Sequence, residues 1–192
     1  MAKLHWKPGT LLSPVPVVLV TCGDFSGVKN VFTVAWAGTV CSEPVMVSIS
    51  VRPERYSYEL IKESGEFVIN LPNRNMVRAV DYCGVVSGKT VDKFQVAGLT
   101  PAPSQHVKAP AIEEAPLSLE CQVISTTSLG THDLFIAKVL GVQVDERLID
   151  RTGRLNLGKA QLISYIHGHY WTMKEPVGNF GFSVKKNKRG KS

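Results

Sequence analysis

Residues 45–57 read VMVSISVRPERYS and join a predicted strand directly to a predicted helix. Within this predicted strand, Val47, Ile49 and Val51 alternate with Ser48 and Ser50, which is the pattern of a strand with one buried face. Ser57 then predicts the N-cap of a short helix, because serine is one of the residues preferred at that position. The junction between the two elements carries Arg52 and Arg55.

Such a junction has the ingredients of a phosphate site. The N-terminus of a helix offers free backbone N–H groups and a partial positive charge. A serine hydroxyl and one or two guanidinium groups beside it complete the set of donors that a phosphate needs. On this segment alone, two solvated arginines and an ordinary helix cap are the commoner interpretation.

The rest of the chain alternates between strand patterns and turn residues. Apolar, β-branched and alternating runs predict seven strands: Val15–Thr21, Asn30–Ala37, Val45–Val51, Phe67–Leu71, Leu117–Ser125, Leu134–Asp145 and Ala160–Tyr170. Helices are predicted at Ser57–Ser64, which ends at Gly65, and from Asn75 to Cys83. Residues 87–94 are expected to form a loop or single turn, and residues 99–116 an irregular connection. The predicted fold class is mainly β, a Greek-key-like antiparallel β-barrel with short helices.

Length and charge set further limits. The chain has 192 residues and a formal net charge of +6. This length predicts one domain, residues 1–180, followed by a basic tail, residues 181–192. The cations at the end of the tail favour disorder first, and docking to an acidic redox partner second. Nucleic-acid binding is the least favoured interpretation, because residues 185–191 contain no aromatic side chain for base stacking.

The cysteines and histidines give no sign of a metal site. Four cysteines occur without a CxxC pair, which favours separate buried thiols in a reducing cytoplasm. His167 and His169 share one strand face, but no third ligand is evident, so surface or dimer-contact histidines are expected. No apolar stretch is long enough to cross a bilayer, and we expect a cytoplasmic protein without membrane contact.

Five sequence blocks resemble the flavin reductase family, in the family's order. Residues 30–44 (NVFTVAWAGTVCSEP) contain its N-x-x-T strand, a small or polar stretch, a cysteine and a proline. The other blocks are RPERYSYELI at 52–61, EFVINLP at 66–72, CGVVSGKTVDKF at 83–94 and GTHDLFIAKV at 130–139. The resemblance implies an FMN-binding split barrel. The flavoredoxins also belong to the group of proteins that the chain resembles.

The resemblance also implies a role for individual residues. The flavin ring and ribityl chain are expected along Thr33, Val34, Ala35 and Trp36, with Cys41 near the flavin. Asn30, at the start of the same strand, is also expected to bind the cofactor. Arg52 and Ser57 are expected to hold the FMN phosphate, with Arg55 and Tyr56 close by. Ser87, Gly88 and Lys89 are expected to close over the site from the same or the neighbouring subunit of a homodimer. His132 matches a histidine that faces the flavin or nicotinamide pocket, and it is the candidate catalytic residue.

Three departures from the family pattern affect the region around the flavin. Pro44 is followed by Val45 where many relatives have a second proline, and Ser57 replaces a threonine but keeps the hydroxyl. Trp36 is bulky where relatives often have a small residue, which narrows the expected site.

Each candidate also has a structural alternative. For Cys41, a small core residue without a redox role for its thiol is the favoured interpretation, although its position still allows contact with the flavin. His132 is also explained as a loop histidine bonded to backbone, and Asp92 with Lys93 as an ion pair on a helix surface.

Three functions are compatible with these residues. The first is an enzyme that passes electrons from NAD(P)H through FMN to a free flavin, an iron complex or a protein. NAD(P)H would be held by the flavin and local groups, since no GxGxxG fingerprint occurs. The second is a flavoredoxin-like carrier that does not itself oxidise NAD(P)H. The third is a basic β-barrel that binds nucleic acid and no flavin.

Overall fold

The structure is a computed structural model that describes residues 1–184. Seven antiparallel strands form its main sheet. The strands are β2 (Val18–Gly23), β3 (Lys29–Val34), β4 (Ala37–Ser42), β5 (Val45–Val51), β6 (Glu66–Leu71), β9 (Leu117–Ser128) and β10 (Asp133–Val144). Their order across the sheet is β3-β2-β6-β9-β10-β5-β4. Side chains from β3 and β5, which are distant in the sheet order, pack in one core, so the sheet curls into a barrel. The predicted mainly β class is confirmed.

Two smaller sheets flank the barrel. One contains β1 (Val15–Pro16), β11 (Ile163–Ile166) and β12 (His169–Thr172). The other pairs β7 (Pro101–Ala102) with β8 (Ala111–Ile112), inside the segment expected to be irregular. Three helices accompany them: α1 (Tyr56–Ser64), α2 (Val77–Val85) and α3 (Lys93–Ala97).

Two predicted strands are each divided in the structure. The expected strand Asn30–Ala37 is interrupted after Val34, and the chain re-enters the sheet as β4 from Ala37. The expected strand Ala160–Tyr170 is instead the hairpin of β11 and β12. Its two turn residues, His167 and Gly168, both have positive φ, at 43° and 89°, which is the conformation that a tight two-residue hairpin turn requires.

The start of α1 differs from its prediction. The N-cap is Arg55, with no side-chain hydrogen bond to the helix, and Ser57 lies inside the first turn. The Ser57 hydroxyl instead accepts a hydrogen bond from the Asn30 side chain, so the expected capping role of Ser57 is wrong. The end of α1 is as predicted, because Gly65 adopts the left-handed conformation.

Side chains cap the 3₁₀ turn before α2 and the start of α3. Asn73, rather than Asn75, accepts the hydrogen bond that opens the 3₁₀ turn leading into α2. Asp92 accepts from the backbone N–H groups of Phe94 and Gln95 and begins α3. Residues 87–94 therefore contain the start of a helix.

No helix within residues 1–184 is long and apolar enough to cross a membrane. Of the basic tail predicted at 181–192, residues 185–192 lie outside the described part of the chain.

A buried glutamate fastens the long connection between α3 and β9 to the barrel. Glu120 is 1% exposed on β9 and accepts from the backbone N–H groups of Gln105 and His106. The His106 ring lies 3.0 Å from the same carboxylate, and Gln143 donates at 2.9 Å. Burial raises the pKa of Glu120, but these hydrogen bonds outweigh it and the net pKa is lowered.

We expect Glu120→Gln to lower the free energy of unfolding near neutral pH by about 1–3 kcal/mol, because buried donors lose a charged acceptor. The folded-state pKa lies below the unfolded value of about 4.3, so this stabilisation is present above that pH and is lost as the pH falls through the folded pKa. Urea unfolding of both proteins from neutral to acidic pH measures the difference. Glu113→Gln, at an exposed position, is the control. An equal deficit at every pH would contradict the argument.

Candidate cofactor-binding site

Two adjoining pockets form one groove where β3, the end of β5 and α2 meet. The inner pocket has a volume of about 380 Å³ and the outer pocket about 260 Å³. Both are lined by Phe32, Thr33, Arg52, Arg55 and Gly84, which therefore form their common wall. The groove is thus a continuous site with two chemically different ends.

The inner pocket is built around the N-terminus of α1. Arg55, Tyr56 and Ser57 line it, and the first N–H groups of the nine-residue helix have no side-chain cap. Asn30 on β3 donates from Nδ2 to Ser57 Oγ at 2.7 Å, and both residues are buried. This hydrogen bond fixes the helix start against the barrel wall and leaves a donor-rich end on the groove.

The positive charges of the inner pocket are unequally compensated. Arg52 lies 3.2 Å from Glu54, and both side chains are exposed. Arg55 and Lys93 have no salt bridge with any residue in the described part of the chain. These two cations are the stronger candidates to meet an anion in the pocket.

Lys93 is a functional candidate for which the sequence predicts only an ion pair on a helix surface. It is 4% exposed, lines the inner pocket and donates from Nζ to the Cys83 carbonyl at 2.9 Å. Burial lowers the pKa of Lys93, and the nearby charge of Arg55 lowers it further. Asp92 is used as the cap of α3, so the interpretation as an ion pair with Lys93 is wrong. The family block that ends in D-K-F was the available signal.

Two glycines let the segment around the end of α2 approach β3. A Cβ atom on Gly88 would lie 2.1 Å from Asn30 Oδ1, and one on Gly84 would lie 3.3 Å from Thr33 Cβ. Thr33 also donates from its hydroxyl to the Val80 carbonyl on α2. The α2 side of the groove therefore packs against Asn30 and Thr33 on β3, and Asn30 also positions the start of α1.

The outer pocket is flatter and more aromatic. Its lining residues beyond the common wall are Val17, Val34, Ala35, Trp36, Ser50, Val51, His132, Tyr165 and Tyr170. The rings of Tyr165 and Tyr170 are 5.9 Å apart between centroids. Burial, followed by a hydrogen bond to Asp81, raises the pKa of Tyr170 to about 12. Both tyrosines come from the hairpin of β11 and β12 and were not expected in the site.

His132 enters the outer pocket from the hairpin between β9 and β10. Its Nδ1 atom lies 3.0 Å from the Thr131 hydroxyl, and its carbonyl accepts from the N–H of Leu129. The side chain therefore has both the local contacts of a loop histidine and a position on the groove.

Most of the expected site residues are brought together. Twelve line one or both pockets: Asn30, Thr33, Val34, Ala35, Trp36, Arg52, Arg55, Tyr56, Ser57, Ser87, Gly88 and His132. Cys41 does not line either pocket, because it lies near the far end of β4, where its thiol contacts the Glu43 carbonyl. Lys89 lies on the exposed turn after α2 and also lines neither pocket.

The two histidines that are expected at the surface or at a dimer contact are exposed. His167 and His169 lie at and beside the tip of the β11–β12 hairpin. Among residues 1–184, no group of three or more His, Cys, Asp or Glu side chains is arranged to hold a metal ion.

The fold and the groove define a class of split-barrel, flavin reductase-like proteins. The structure matches the flavoredoxin of Desulfovibrio vulgaris (Miyazaki F) with a TM-score of 0.89 and 33% sequence identity, over 96% of this chain and 100% of that chain. It matches a flavoredoxin from Methanosarcina acetivorans with a TM-score of 0.85 and 28% identity, over 96% of this chain and 100% of the other.

The sequence comparisons agree with the structural ones. The sequence model of the flavin reductase like domain matches residues 11–171, and the chain belongs to this family. An uncharacterised protein of Pyrococcus abyssi is 36% identical over 147 residues, which is 77% of this chain and 83% of that protein.

With added FMN as the probe of the groove, we expect Gly88→Ala to weaken binding while the barrel stays folded, because the new methyl group would displace the Asn30 side chain and loosen its bond to Ser57. Loss of one buried hydrogen bond predicts a reduction in affinity of roughly three- to tenfold. Quenching of FMN fluorescence gives the affinity, and thermal unfolding checks the fold.

Gly27→Ala is the matched control, because the nearest atom to its added Cβ is 3.7 Å away and Gly27 is in a turn outside both pockets. Unchanged FMN affinity in Gly88→Ala would show that the Asn30–Ser57 contact does not organise the site.

Proposed function

We propose that this protein binds FMN in the groove and transfers electrons from NAD(P)H, through the flavin, to a free flavin, an iron complex or a protein acceptor. The observation that carries the proposal is the groove itself, which is cationic and rich in N–H donors at one end and aromatic at the other. FMN has the same division, since a phosphate dianion and a planar ring lie at opposite ends of one ribityl chain.

The inner pocket fits the phosphate. Arg55 and Lys93 supply two positive charges without carboxylate partners in residues 1–184, and the first turn of α1 supplies backbone N–H groups. A phosphate dianion there would neutralise both cations and accept hydrogen bonds from the uncapped N–H groups of the helix. Arg52 is paired with Glu54, so it is the less favoured of the two arginines as a ligand of the phosphate.

The outer pocket fits the ring. Trp36, Tyr165 and Tyr170 offer flat apolar faces, and Val34 and Ala35 line the same pocket. FMN, when bound, supplies the hydride and electron chemistry, and the protein has to supply only binding, orientation and surroundings. His132 is the titratable side chain best placed to orient a nicotinamide or an electron acceptor at the open side.

A carrier without its own NAD(P)H oxidation is the second candidate. The likeness to two flavoredoxins, at 33% and 28% identity over nearly the whole chain, favours it. Both functions use the same groove, and they differ only in whether a nicotinamide reaches the bound flavin productively.

We further propose that the working form is a homodimer. Trp36, between β3 and β4, and the residues Val40 on β4 and Val45 on β5 expose apolar side chains. Lys89 is exposed and outside the groove of its own chain, which is consistent with a role across a subunit interface. An acidic redox protein is the expected class of external partner, given the net positive charge.

Removing a phosphate-binding cation should weaken FMN much more than riboflavin, which has no phosphate. We expect Arg55→Ala, and separately Lys93→Met, to reduce FMN affinity roughly tenfold to a hundredfold, the range for a charge-assisted hydrogen bond of about 1.5–3 kcal/mol. Arg52→Ala should cost less, since Glu54 already compensates that guanidinium. Fluorescence titration with FMN and with riboflavin measures the affinity of the wild-type protein and of the three variants for each flavin.

Arg74→Ala is the control, because it removes the same charge from an exposed site outside the groove. Equal losses for FMN and riboflavin would show that the variants act on folding. A wild-type protein that purifies colourless and fails to quench added FMN would overturn the proposed function.

Single-turnover reduction distinguishes the enzyme from the carrier. We expect anaerobic mixing of the FMN-loaded protein with NADH or NADPH to bleach the flavin absorbance rapidly, and His132→Ala to slow this step with little change in FMN affinity. Stopped-flow absorbance beside an FMN titration separates the two effects. Negligible reduction by both nucleotides, with ready reduction by dithionite, would assign the carrier role instead.

A further inference from the structure

One buried hydrogen bond connects the two elements that carry the inner and outer ends of the groove, although neither of its partners lines the groove. The Tyr58 hydroxyl donates to Asp133 Oδ2 at 2.6 Å, and both residues are buried. This hydrogen bond is the leading cause that raises the pKa of Tyr58 and lowers that of Asp133. The bond therefore joins a phenol to a carboxylate that stays ionised at neutral pH.

Each partner is adjacent in sequence to a residue of the groove. Tyr58 follows Ser57 in the first turns of α1, the helix whose start lines the inner pocket. Asp133 follows His132, which lines the outer pocket, and is the first residue of β10. A single side-chain contact thus connects the proposed phosphate end to the proposed reactive end.

The segment that carries His132 has few other attachments. Residues 124–131 are exposed, and Asp133 is the first buried residue after the hairpin tip. The tip is closed on itself by the bond from the Leu129 N–H to the His132 carbonyl, which does not fasten it to the rest of the molecule. Asp133 is paired along the backbone with Ser128 on β9 and Val51 on β5, and its carboxylate also interacts with Ser128. Its bond with Tyr58 is the side-chain contact that connects this end of β10 to α1.

Burial of the Tyr58 ring does not require the hydroxyl. The ring packs edge-on against Phe135 with centroids 5.5 Å apart, and the Lys62 ammonium lies 5.7 Å from its centroid. A phenylalanine would keep both of these contacts. The hydroxyl contributes the bond to Asp133, so its removal isolates that one link.

We propose that Tyr58 and Asp133 are positioning residues, which hold His132 at a fixed place relative to the cationic start of α1. Neither side chain lines the groove, so both act through His132. The inference rests on the proposed function for its kinetic consequence, but the placement of His132 is a property of the flavin-free protein as well.

The first test therefore uses flavin-free protein. Tyr58→Phe should shift or broaden the imidazole resonances of His132 in a ¹H–¹³C correlation spectrum, because the hairpin tip loses its anchor. His106, which is fastened separately to Glu120, should keep its resonances. Unchanged His132 resonances in a folded Tyr58→Phe protein would overturn the proposal, whether or not the protein binds FMN.

The second test is a double-mutant cycle with FMN-loaded protein. Tyr58→Phe should slow single-turnover reduction by NAD(P)H roughly three- to tenfold, the size of one lost hydrogen bond, while FMN affinity changes by less than about twofold. The same substitution should have no further effect in the His132→Ala background. Tyr82→Phe, on α2, is the control, since no hydrogen bond of its hydroxyl occurs among residues 1–184.

Proportional slowing in both backgrounds would show that Tyr58 acts on stability and not through His132. Absence of FMN binding by the wild-type protein would reject the proposed function instead, and the resonances of His132 would still decide whether Tyr58 positions it.

Discussion

The hydrogen bond from Asn30 to Ser57 is the contact on which the groove depends. It joins β3 to the start of α1 across 27 residues of sequence and is buried at both ends. Because the Ser57 side chain is used in this way, it does not cap its own helix, and the first N–H groups of α1 remain available at the groove. The same Asn30 side chain limits the closest residue of the α2–α3 connection to glycine. One amide thus positions three walls of the site.

Much of the fold follows from local patterns. The alternation in Val45–Val51 and the junction after it predict β5 followed at once by α1, and the structure has both. The family and the barrel were predictable because five blocks occur in order, and each is too short to be specific by itself. The two errors in strand length fall where a strand pattern continues through a turn, at Ala35–Trp36 and His167–Gly168. Side-chain type alone does not show where such a strand is interrupted.

The site was predictable where sequence neighbours form it, and much less so where distant segments meet. Arg55, Tyr56 and Ser57 are adjacent in the chain and line one pocket together. Tyr165 and Tyr170 reach the groove from a hairpin more than a hundred residues after β3, and no local pattern marks them. Lys93 follows an aspartate that indicates a surface ion pair, and its burial arises only when α3 packs against α2. Burial, not residue type, separates Lys93 from the exposed Lys89.

The contacts of Lys93 also explain how a buried positive charge is tolerated beside the barrel. A buried ammonium near a second cation is costly, and burial accordingly lowers its pKa. The carbonyl that it meets belongs to Cys83, in the last turn of α2, where backbone acceptors lack helical partners and the helix dipole is negative. That contact supplies one hydrogen bond and a partial negative charge, but no full counter-charge. The geometry therefore stabilises the ammonium enough to keep α3 packed against α2, while an anion in the inner pocket would still gain from the uncompensated charge.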